Sequence, residues 1–506
     1  AKAPVEAEHE KSQPATCPAQ AMEAGAPLVH STGNILSHEH LVRGNADEVI
    51  AASKYKVTRH YETPWTEHAF LEPECAVAMP FDDDGVFIYT SDQGTYDTQH
   101  ECCIMLGLPP EKVIVENKLV GGGFGGLKLA RKLKNDQFQV VLLDKNNYHL
   151  FQPLLYQVAT AGIEPSAISF PFRKIFKKRK YFHIRICEAR RVIPEQKLLE
   201  TSIGAIDYDY LVISTGCYTN YFGNNKMAEK TMSLKTTAEA LYNRNQVLES
   251  FEKAQNTTDP EEREKLMTFI IVGGGATGIE LSGALAEMRK FILPQDYPDL
   301  DMKKMRIVLI DAGSRLLSAF SEKSSEEVRD YLQKKGVEVK VDSKVVDYEN
   351  DLLTLGDGTV LPSANIYWVA GVKANSLEGL PADAYGPGNR LKVDVFNKVS
   401  GSDHIFAIGD TALMISEDYP RGHPQVVQPA IQQARLLVHN LNNIEKGLPL
   451  KPFVYHNKGS MATVGRNNAI VELKNIRFGG FLAWAVWLFI HLMSIVGVKN
   501  KLFIFT

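Results

Sequence analysis

Two glycine strings of the same design constrain this chain more than any other feature. Each matches the pattern Gly-x-Gly-x-x-Gly and runs directly into an apolar, helix-like segment: "VGGGFGGLKLARKL" and "VGGGATGIELSGALAE". Glycines at this spacing allow a tight turn and let a backbone approach a pyrophosphate at a helix N-terminus. Two such units in tandem predict an α/β chain with two Rossmann-like dinucleotide-binding domains. The predicted cradle residues are Gly121, Gly123, Phe124 and Gly126, then Gly273, Gly275 and Gly278.

An aspartate ends the strand that follows each unit. Asp144 closes "FQVVLLD", and Asp311 closes "MRIVLID" after the insertion "PQDYPDLDMKKM". An acid at this place binds the hydroxyl pair of a ribose. It also repels a ribose 2′-phosphate, so NADH is favoured over NADPH.

Three further strands end in residues suited to a nucleotide site. "YDYLVISTG" ends at Thr215 and Gly216, and "ANIYWVAG" ends at Ala370 and Gly371. Such small residues let the chain cross close to a bound nucleotide. "DHIFAIGD" places Asp410 where an acid can bind a ribitol or ribose hydroxyl, or can cap a helix.

Composition excludes several other classes. The 506 residues carry a net charge of −4, which argues against a nucleic-acid partner. The six cysteines form no Cys-x-x-Cys pair and no zinc or iron–sulfur spacing, so no metal site is predicted. A disulfide reductase needs a redox cysteine pair soon after the first glycine string. No cysteine occurs between Gly121 and Cys187, which rejects that class.

The segment "FGGFLAWAVWLFIHLMSIVGV" near the end of the sequence is apolar over about the length needed to span a bilayer. Trp484 and Trp487 suit the headgroup boundary. We expect a membrane-associating helix that either spans the bilayer or lies in its interface. A buried core helix is the alternative.

From Gly121 onward the chain resembles the type II, non-proton-pumping NADH:quinone oxidoreductases, which are membrane-bound flavoproteins. The resemblance implies FAD in the first domain and NADH in the second. It implies hydride transfer from NADH to flavin, then two-electron reduction of a membrane quinone. It also implies contact with the lipid surface at the cytoplasmic face of the inner membrane, and it leaves a homodimer open. The motifs are the two glycine units, "LLDKNNYHLFQPLLYQVATAGIEPS", "WVAGV", "FAIGD", "QPAIQQA" and "NKGSMATVGR".

The same resemblance implies roles for four residues. Glu280 would approach the junction of nicotinamide and flavin, although an acid early in a helix also complements the helix dipole. Gln428 and Gln432 are one helical turn apart and would lie over the flavin along the quinone path. Lys458 would balance the charge of a reduced flavin, or would be a solvated loop lysine.

Upstream of Gly121 the sequence is different. "GNILSHEHLVRGNADEVIAAS" and "YTSDQGTYDTQHECCIMLGLPPEKV" resemble the molybdenum-binding subunit of xanthine dehydrogenases. Gln93 matches that family's glutamine near the metal, but the catalytic glutamate after its glycine run is missing here. We interpret the chain as a chimera joined on the shared run "GGGFGG". A catalytically impaired chimera and a molybdenum hydroxylase fragment are the alternative interpretations.

The junction weakens one predicted strand. Asn117 and Lys118 take the places of Phe269 and Ile270 in a strand that should be buried on both faces. Burying an unpaired lysine is costly, so we expect weakened FAD retention. The predicted divisions are a disordered start (1–26), an α+β fragment (27–118), a first segment of the FAD-binding domain (119–235), the NADH-binding domain (236–377), a second segment of the FAD-binding domain (378–450) and a membrane-associating region (451–506).

Overall fold

The computed structural model describes residues 50–53, 76–81, 85–90, 113–116, 123–133, 137–177 and 179–495. The chain divides into two units, 1–73 and 74–506. In the first unit, residues 50–52 form a helical turn in which Ser53 N donates to Ile50 O. Several sequence predictions fall outside the described residues. They concern the first 26 residues, the chain after residue 495, and Gln93, Asn117, Lys118 and Gly121.

The second unit begins with a small three-stranded sheet. Its strands are β1 (Ala76–Phe81), β2 (Gly85–Thr90) and β3 (Val113–Glu116). β1 pairs antiparallel with β2, and β3 runs parallel to β2. The alternating run "GVFIYT" forms β2.

The region of the first glycine string combines short helices with several small sheets. β4 pairs in parallel with β7, and β8 to β10 form an antiparallel meander. Arg179 donates to Ala130 O and Leu133 O, which satisfies the last carbonyls of helix α1. The elements are α1 (Phe124–Lys132), β4 (Val140–Asp144), β5 (Tyr148–Leu150), α2 (Leu155–Ala159), α3 (Pro165–Ile168), β6 (Ser169–Pro171), α4 (Phe172–Ile175), β7 (Phe182–Ile186), β8 (Ala189–Ile193), β9 (Leu198–Thr201), β10 (Gly204–Asp207), β11 (Leu211–Ile213) and β12 (Cys217–Thr219).

The region of the second glycine string contains a parallel sheet of four strands, in the order β15-β14-β13-β19. β13 is central and buried along its whole length, as its sequence "TFIIV" requires. Helix α6 starts at a capping box between Thr236 and Glu239. The elements are α5 (Asn225–Lys230), α6 (Thr237–Asn256), α7 (Pro260–Met267), β13 (Thr268–Val272), α8 (Ala276–Glu287), α9 (Leu293–Asp296), β14 (Arg306–Ile310), α10 (Glu322–Lys334), β15 (Glu338–Lys340), β16 (Val345–Glu349), β17 (Leu352–Leu355), β18 (Val360–Pro362), β19 (Asn365–Trp368) and β20 (Val372–Ala374).

The chain then returns to the first region. β22 pairs in parallel with β11, and helix α11 packs on α1. The segment after Lys451 contains an antiparallel sheet, β24 to β26, and helix α12 packs against this sheet. The elements are β21 (Leu391–Lys392), β22 (Ile405–Ala407), β23 (Ala412–Leu413), α11 (Val427–Glu445), β24 (Ser460–Thr463), β25 (Ala469–Glu472), β26 (Arg477–Gly479) and α12 (Gly480–Ser494).

Helix α12 covers 15 residues of the predicted apolar segment. Across the portion of the chain that the structure describes, no helix combines the length and the apolar character needed to cross a membrane. The expectation that Trp487 lies at a headgroup boundary is wrong, because its side chain is buried in the core and stacks on His491. Trp484 is only partly buried.

Candidate functional site

The second glycine string makes a tight turn between β13 and α8. Gly273 has φ +122°, which residues with a side chain rarely adopt. A Cβ at Gly278 would lie 1.9 Å from the carbonyl oxygen of Gly273, so no side chain fits there. Gly275 is the N-cap of α8, and a Cβ at this residue would meet nothing within 4 Å. The helix N-terminus therefore faces open space beside the loop, as a pyrophosphate site requires.

Asp311 directly follows β14 and closes onto this loop. Its Oδ2 accepts a hydrogen bond from Gly274 N at 2.5 Å, and its Oδ1 accepts one from Gly313 N at 2.7 Å. The carboxylate thus fixes the loop and places a negative charge next to it.

The first glycine string is described from Gly123 onward. A Cβ at Gly126 would lie 2.3 Å from Ser214 Oγ, and one at Gly123 would lie 3.2 Å from Ser214 O. The start of α1 therefore packs directly on Ser214, the residue after β11, and leaves little room for a side chain at either glycine. The ring of Phe124 packs edge-on against two aromatic rings, whose centroids are 5.0 and 5.6 Å away: His149 and Phe151.

Asp144 ends β4, as predicted, and is only 4 % exposed. Its Oδ1 accepts a hydrogen bond from Asn146 N at 2.8 Å. Its Oδ2 is buried and has no hydrogen-bond partner among the described residues. Burial raises the pKa of this carboxyl well above its usual range. A buried carboxyl oxygen that lacks a donor fits a ribose hydroxyl, so the residues present fit an FAD.

A cavity of about 1090 Å³ brings three predicted residues together, since Gly126, Asp144 and Thr215 all line it. Residues of β4 and β11 also line this cavity. In the region of the second glycine string, the strand that leads into the glycine turn is β13, and it lies between β14 and β19. Around the cavity, β4 pairs with β7 and β11 pairs with β22 within the described ranges. Glu116, just before the glycine string, pairs instead with Tyr89 of β2.

The small residues predicted at the strand ends lie where the two halves meet. Gly216 and Gly371 have φ +71° and +73°, a conformation that favours glycine. A Cβ at Gly273 would lie 2.7 Å from Ala370 N, so the second glycine loop touches this crossing. β12 and β20 follow directly and pair antiparallel, which ties one half to the other. Thr215 Oγ1 donates to a backbone carbonyl at 2.5 Å.

Asp410 lies in a 3₁₀ turn shortly after β22. Its Oδ2 accepts a hydrogen bond from Cys217 Sγ at 3.0 Å, and Lys235 Nζ lies 3.7 Å from the same sulfur. Burial raises the pKa of Cys217 to about 12, so the thiol stays protonated and donates to Asp410. Cys217 was not among the predicted site residues. It directly follows Gly216 in the sequence, and that position was the signal that it would lie at the site.

Glu280 lies on α8, in the second turn of the helix, and is 8 % exposed. Burial raises the pKa of its carboxyl to about 8, although the backbone N–H of Thr463 donates to it. The alternative interpretation of Glu280 was an acid that complements the helix dipole from the first turn. The first turn of α8 contains no acidic residue, which argues against that interpretation. Glu280 therefore holds a proton at neutral pH.

Gln428 and Gln432 share one face of α11, and both amides bind the backbone of the segment before β24. Gln428 donates to Gly459 O and accepts from Lys458 N, at 2.7 and 3.0 Å. Gln432 donates to His456 O and accepts from His456 N, at 2.9 and 3.0 Å. The two glutamines thus fasten this segment to the helix. The side chain of Lys458 is exposed.

A third glutamine on α11, Gln433, was not among the predicted site residues. Gln433 is 1 % exposed, and its Oε1 accepts a hydrogen bond from Gly409 N at 2.8 Å. It therefore holds the turn that carries Asp410. The repeated glutamine in "QPAIQQA" was the only sign of it in the sequence.

Comparisons with known proteins agree with this geometry. Residues 117–434 match the family model of the pyridine nucleotide-disulphide oxidoreductases, and residues 457–506 match that of the NDH2 C-terminal domain. The first match covers more than half of the chain, which assigns it to the pyridine nucleotide-disulphide oxidoreductase class. Residues 29–134 match the molybdopterin cofactor-binding domain, which confirms the predicted composite sequence.

Sequence similarity to individual proteins identifies the family within this class. The chain is 34 % identical over 403 residues to type II NADH:quinone oxidoreductase Ndh of Mycobacterium tuberculosis, covering 76 % of this chain and 85 % of that protein. It is 31 % identical over 393 residues to the type II NADH:quinone oxidoreductase of Haemophilus influenzae, covering 71 % and 87 %. The chain belongs to the type II NADH:quinone oxidoreductase family.

Solved structures share the fold. NDH2 from Plasmodium falciparum in complex with NADH aligns with a TM-score of 0.71 at 20 % identity, covering 76 % of this chain and 95 % of that one. The sulfide:quinone oxidoreductase from Aquifex aeolicus aligns with a TM-score of 0.62 at 19 % identity, covering 75 % and 90 %. These likenesses confirm the α/β flavoprotein fold with paired dinucleotide-binding halves.

Proposed function

We propose that this chain passes a hydride from NADH to FAD and two electrons on to a membrane quinone, without pumping protons. The observation that carries the proposal is the meeting of the two halves at one crossing. The glycine loop of the second half touches Ala370, and the β12–β20 pair beside it leads back to Gly216 and the first half. Two nucleotides held in these cradles would meet at that crossing, where hydride transfer requires them.

The residues assigned to each nucleotide follow from the two cradles. FAD, when bound, supplies a ring that accepts a hydride and returns electrons in pairs. Its pyrophosphate would lie at the start of α1 and its ribose at Asp144, with Thr215, Gly216 and Asp410 along its length. NADH would take the start of α8, with its adenosine ribose at Asp311 and its other end towards Ala370 and Gly371.

Glu280 is assigned the role of proton holder. Its pKa of about 8 keeps the carboxyl protonated at neutral pH. Reduction of a quinone by two electrons consumes two protons, so a buried, protonated carboxyl on α8 is useful as a donor. Gln428 and Gln432 position the backbone that carries Lys458, which we assign to charge balance near the reduced flavin rather than to proton transfer.

We infer that α12 docks the protein on a lipid surface, at the cytoplasmic face of the inner membrane. Its buried side chains, Ala483 and Trp487, face the core. Large apolar side chains on the rest of the helix face outward, in the manner of an interfacial helix. They are Phe481, Leu482, Phe489, Ile490 and Met493. We assign no hydroxylase activity to the N-terminal region. Measurement of the molecular mass in solution tests whether the protein is a homodimer.

An absorbance titration tests the proposed function. Purified protein is made anaerobic, NADH is added, and a soluble quinone analogue follows. We expect the flavin band to bleach with NADH and to recover with the quinone. The Gly278→Ala variant is the matched control, because it should keep the flavin band and lose the bleaching at low NADH. A flavin band that NADH does not bleach would refute the proposal.

A further inference from the structure

Phe222 combines an exposed aromatic side chain with a strained backbone. Its side chain is 69 % exposed, and its backbone has φ +53°. A bulky non-glycine residue in this region is a genuine outlier. Such strain persists only where the surroundings force it, and it concentrates at ligand sites.

The surroundings of Phe222 do force it. Tyr221 stacks on Trp368 with 5.9 Å between ring centroids, and Trp368 Nε1 donates to Asn220 O at 3.0 Å. Phe222 N in turn donates to Asn220 Oδ1 at 2.9 Å. The two preceding residues are thus fixed to the end of β19, and Phe222 is held outward beyond them. Burial of its own ring does not explain this conformation.

The ring lies beside the second glycine string. A Cβ at Gly371 would lie 2.7 Å from the Cζ atom of Phe222, so the ring covers this glycine. The preceding residue, Ala370, is the one whose backbone N lies 2.7 Å from a Cβ built at Gly273. Phe222 therefore contacts the residue next to Ala370, which itself touches the turn that would hold the pyrophosphate of NADH.

The strand order decides which half of NADH would reach the ring. In the order β15-β14-β13-β19, Asp311 follows β14 and Gly371 follows β19, on opposite sides of β13. A dinucleotide lies across the carboxyl edge of such a sheet with its pyrophosphate at the central turn. With the adenosine ribose at Asp311, the nicotinamide half extends towards Gly371 and Phe222.

We propose that Phe222 is a positioning residue whose ring packs against the nicotinamide half of NADH. The proposal rests on the NADH site of the proposed function and adds a contact within it. An exposed aromatic ring fixed by a rigid loop offers a flat apolar face to a planar ring. Because the loop belongs to the FAD half, the same contact would align the nicotinamide relative to the flavin.

Calorimetric titration of the holoprotein tests the contact with two probes, NADH and ADP-ribose. The protein is kept anaerobic and its flavin is reduced with dithionite beforehand, so that NADH binds without transferring a hydride. ADP-ribose keeps the adenosine, pyrophosphate and second ribose but lacks nicotinamide. For Phe222→Ala we expect the Kd of NADH to rise about tenfold, the usual effect of losing one aromatic contact. The Kd of ADP-ribose should stay within about twofold. Phe222→Trp should restore NADH binding. Tyr242→Ala, which removes an aromatic side chain that is 56 % exposed on α6, should change neither.

Phe222→Gly separates positioning from folding. Glycine accepts φ +53° without strain, so we expect its melting temperature to match or exceed that of the wild type while the loss for NADH persists. Equal weakening of NADH and ADP-ribose, or no weakening of either, would overturn the inference while the NADH site stands. A wild-type protein that binds neither probe would overturn the proposed function itself, and the inference with it.

Discussion

Replacing Glu280 by glutamine should remove a loss of folding stability that the wild-type protein suffers at alkaline pH. The carboxyl is 8 % exposed, and burial raises its pKa from the ordinary 4.5 to about 8. Glutamine has nearly the same shape and can keep accepting a hydrogen bond from Thr463 N. It carries no charge at any pH. The comparison therefore isolates the cost of ionising this one buried group.

The sign follows from proton binding. Above pH 4.5 the unfolded chain releases the Glu280 proton, whereas the folded protein keeps it up to about pH 8. The folded state then binds more protons, so wild-type stability falls as pH rises through this window. The slope is about 1.4 kcal/mol per pH unit, and the total reaches about 5 kcal/mol above pH 8. The glutamine variant lacks this slope.

The measurement is the free energy of unfolding in urea, for wild type and variant, at pH steps from 5 to 9. The extra N–H of the glutamine amide adds a cost of about 1–3 kcal/mol that is the same at each pH. The change of the difference with pH is therefore the informative quantity. Between pH 5 and pH 9, we expect the free energy of unfolding of the variant to rise by several kcal/mol relative to that of the wild type. Glu249→Gln is the control, because Lys253 lowers the pKa of this exposed carboxyl and no such gain should appear. Parallel curves for Glu280→Gln would refute the buried, protonated carboxyl.

Three other variants, one single and two double, test separate parts of the molecule. Gly278→Ala should raise the Kd of NADH at least tenfold with flavin content unchanged, since a Cβ would lie 1.9 Å from a backbone oxygen; equal loss of both nucleotides in calorimetry and absorbance would contradict this. Replacing Asn117 and Lys118 by Phe and Ile should raise the FAD retained after gel filtration, and an unchanged ratio of flavin to protein absorbance would count against the cost of burying lysine. Changing Phe481 and Leu482, each 65 % exposed, to serine should shift the protein from the pellet to the supernatant when it is sedimented with lipid vesicles, while the melting temperature holds within about 2 °C; a protein that still pellets would argue against docking through α12.

The sequence alone determined the class of fold and predicted which residues would hold the nucleotides. Spacing of glycines is a local property, because a turn that passes close to a phosphate excludes side chains wherever it occurs. Asp144 and Asp311 could be placed for the same reason, as each follows a strand with a recognisable apolar run. The family resemblance supplied the assignment of FAD to the first domain and NADH to the second. The glycine spacing cannot distinguish the two nucleotides, because it is the same in both domains.

Only the tertiary structure decided the contacts between distant segments. The thiol of Cys217 donates to Asp410, although 193 residues separate them. Gln433 and the strained backbone of Phe222 acquire their roles from neighbours that no periodicity reveals. Trp487 was assigned to a membrane boundary because an apolar helix has the same composition whether it faces lipid or core. Which face is buried depends on what packs against it, and that is a property of the folded chain.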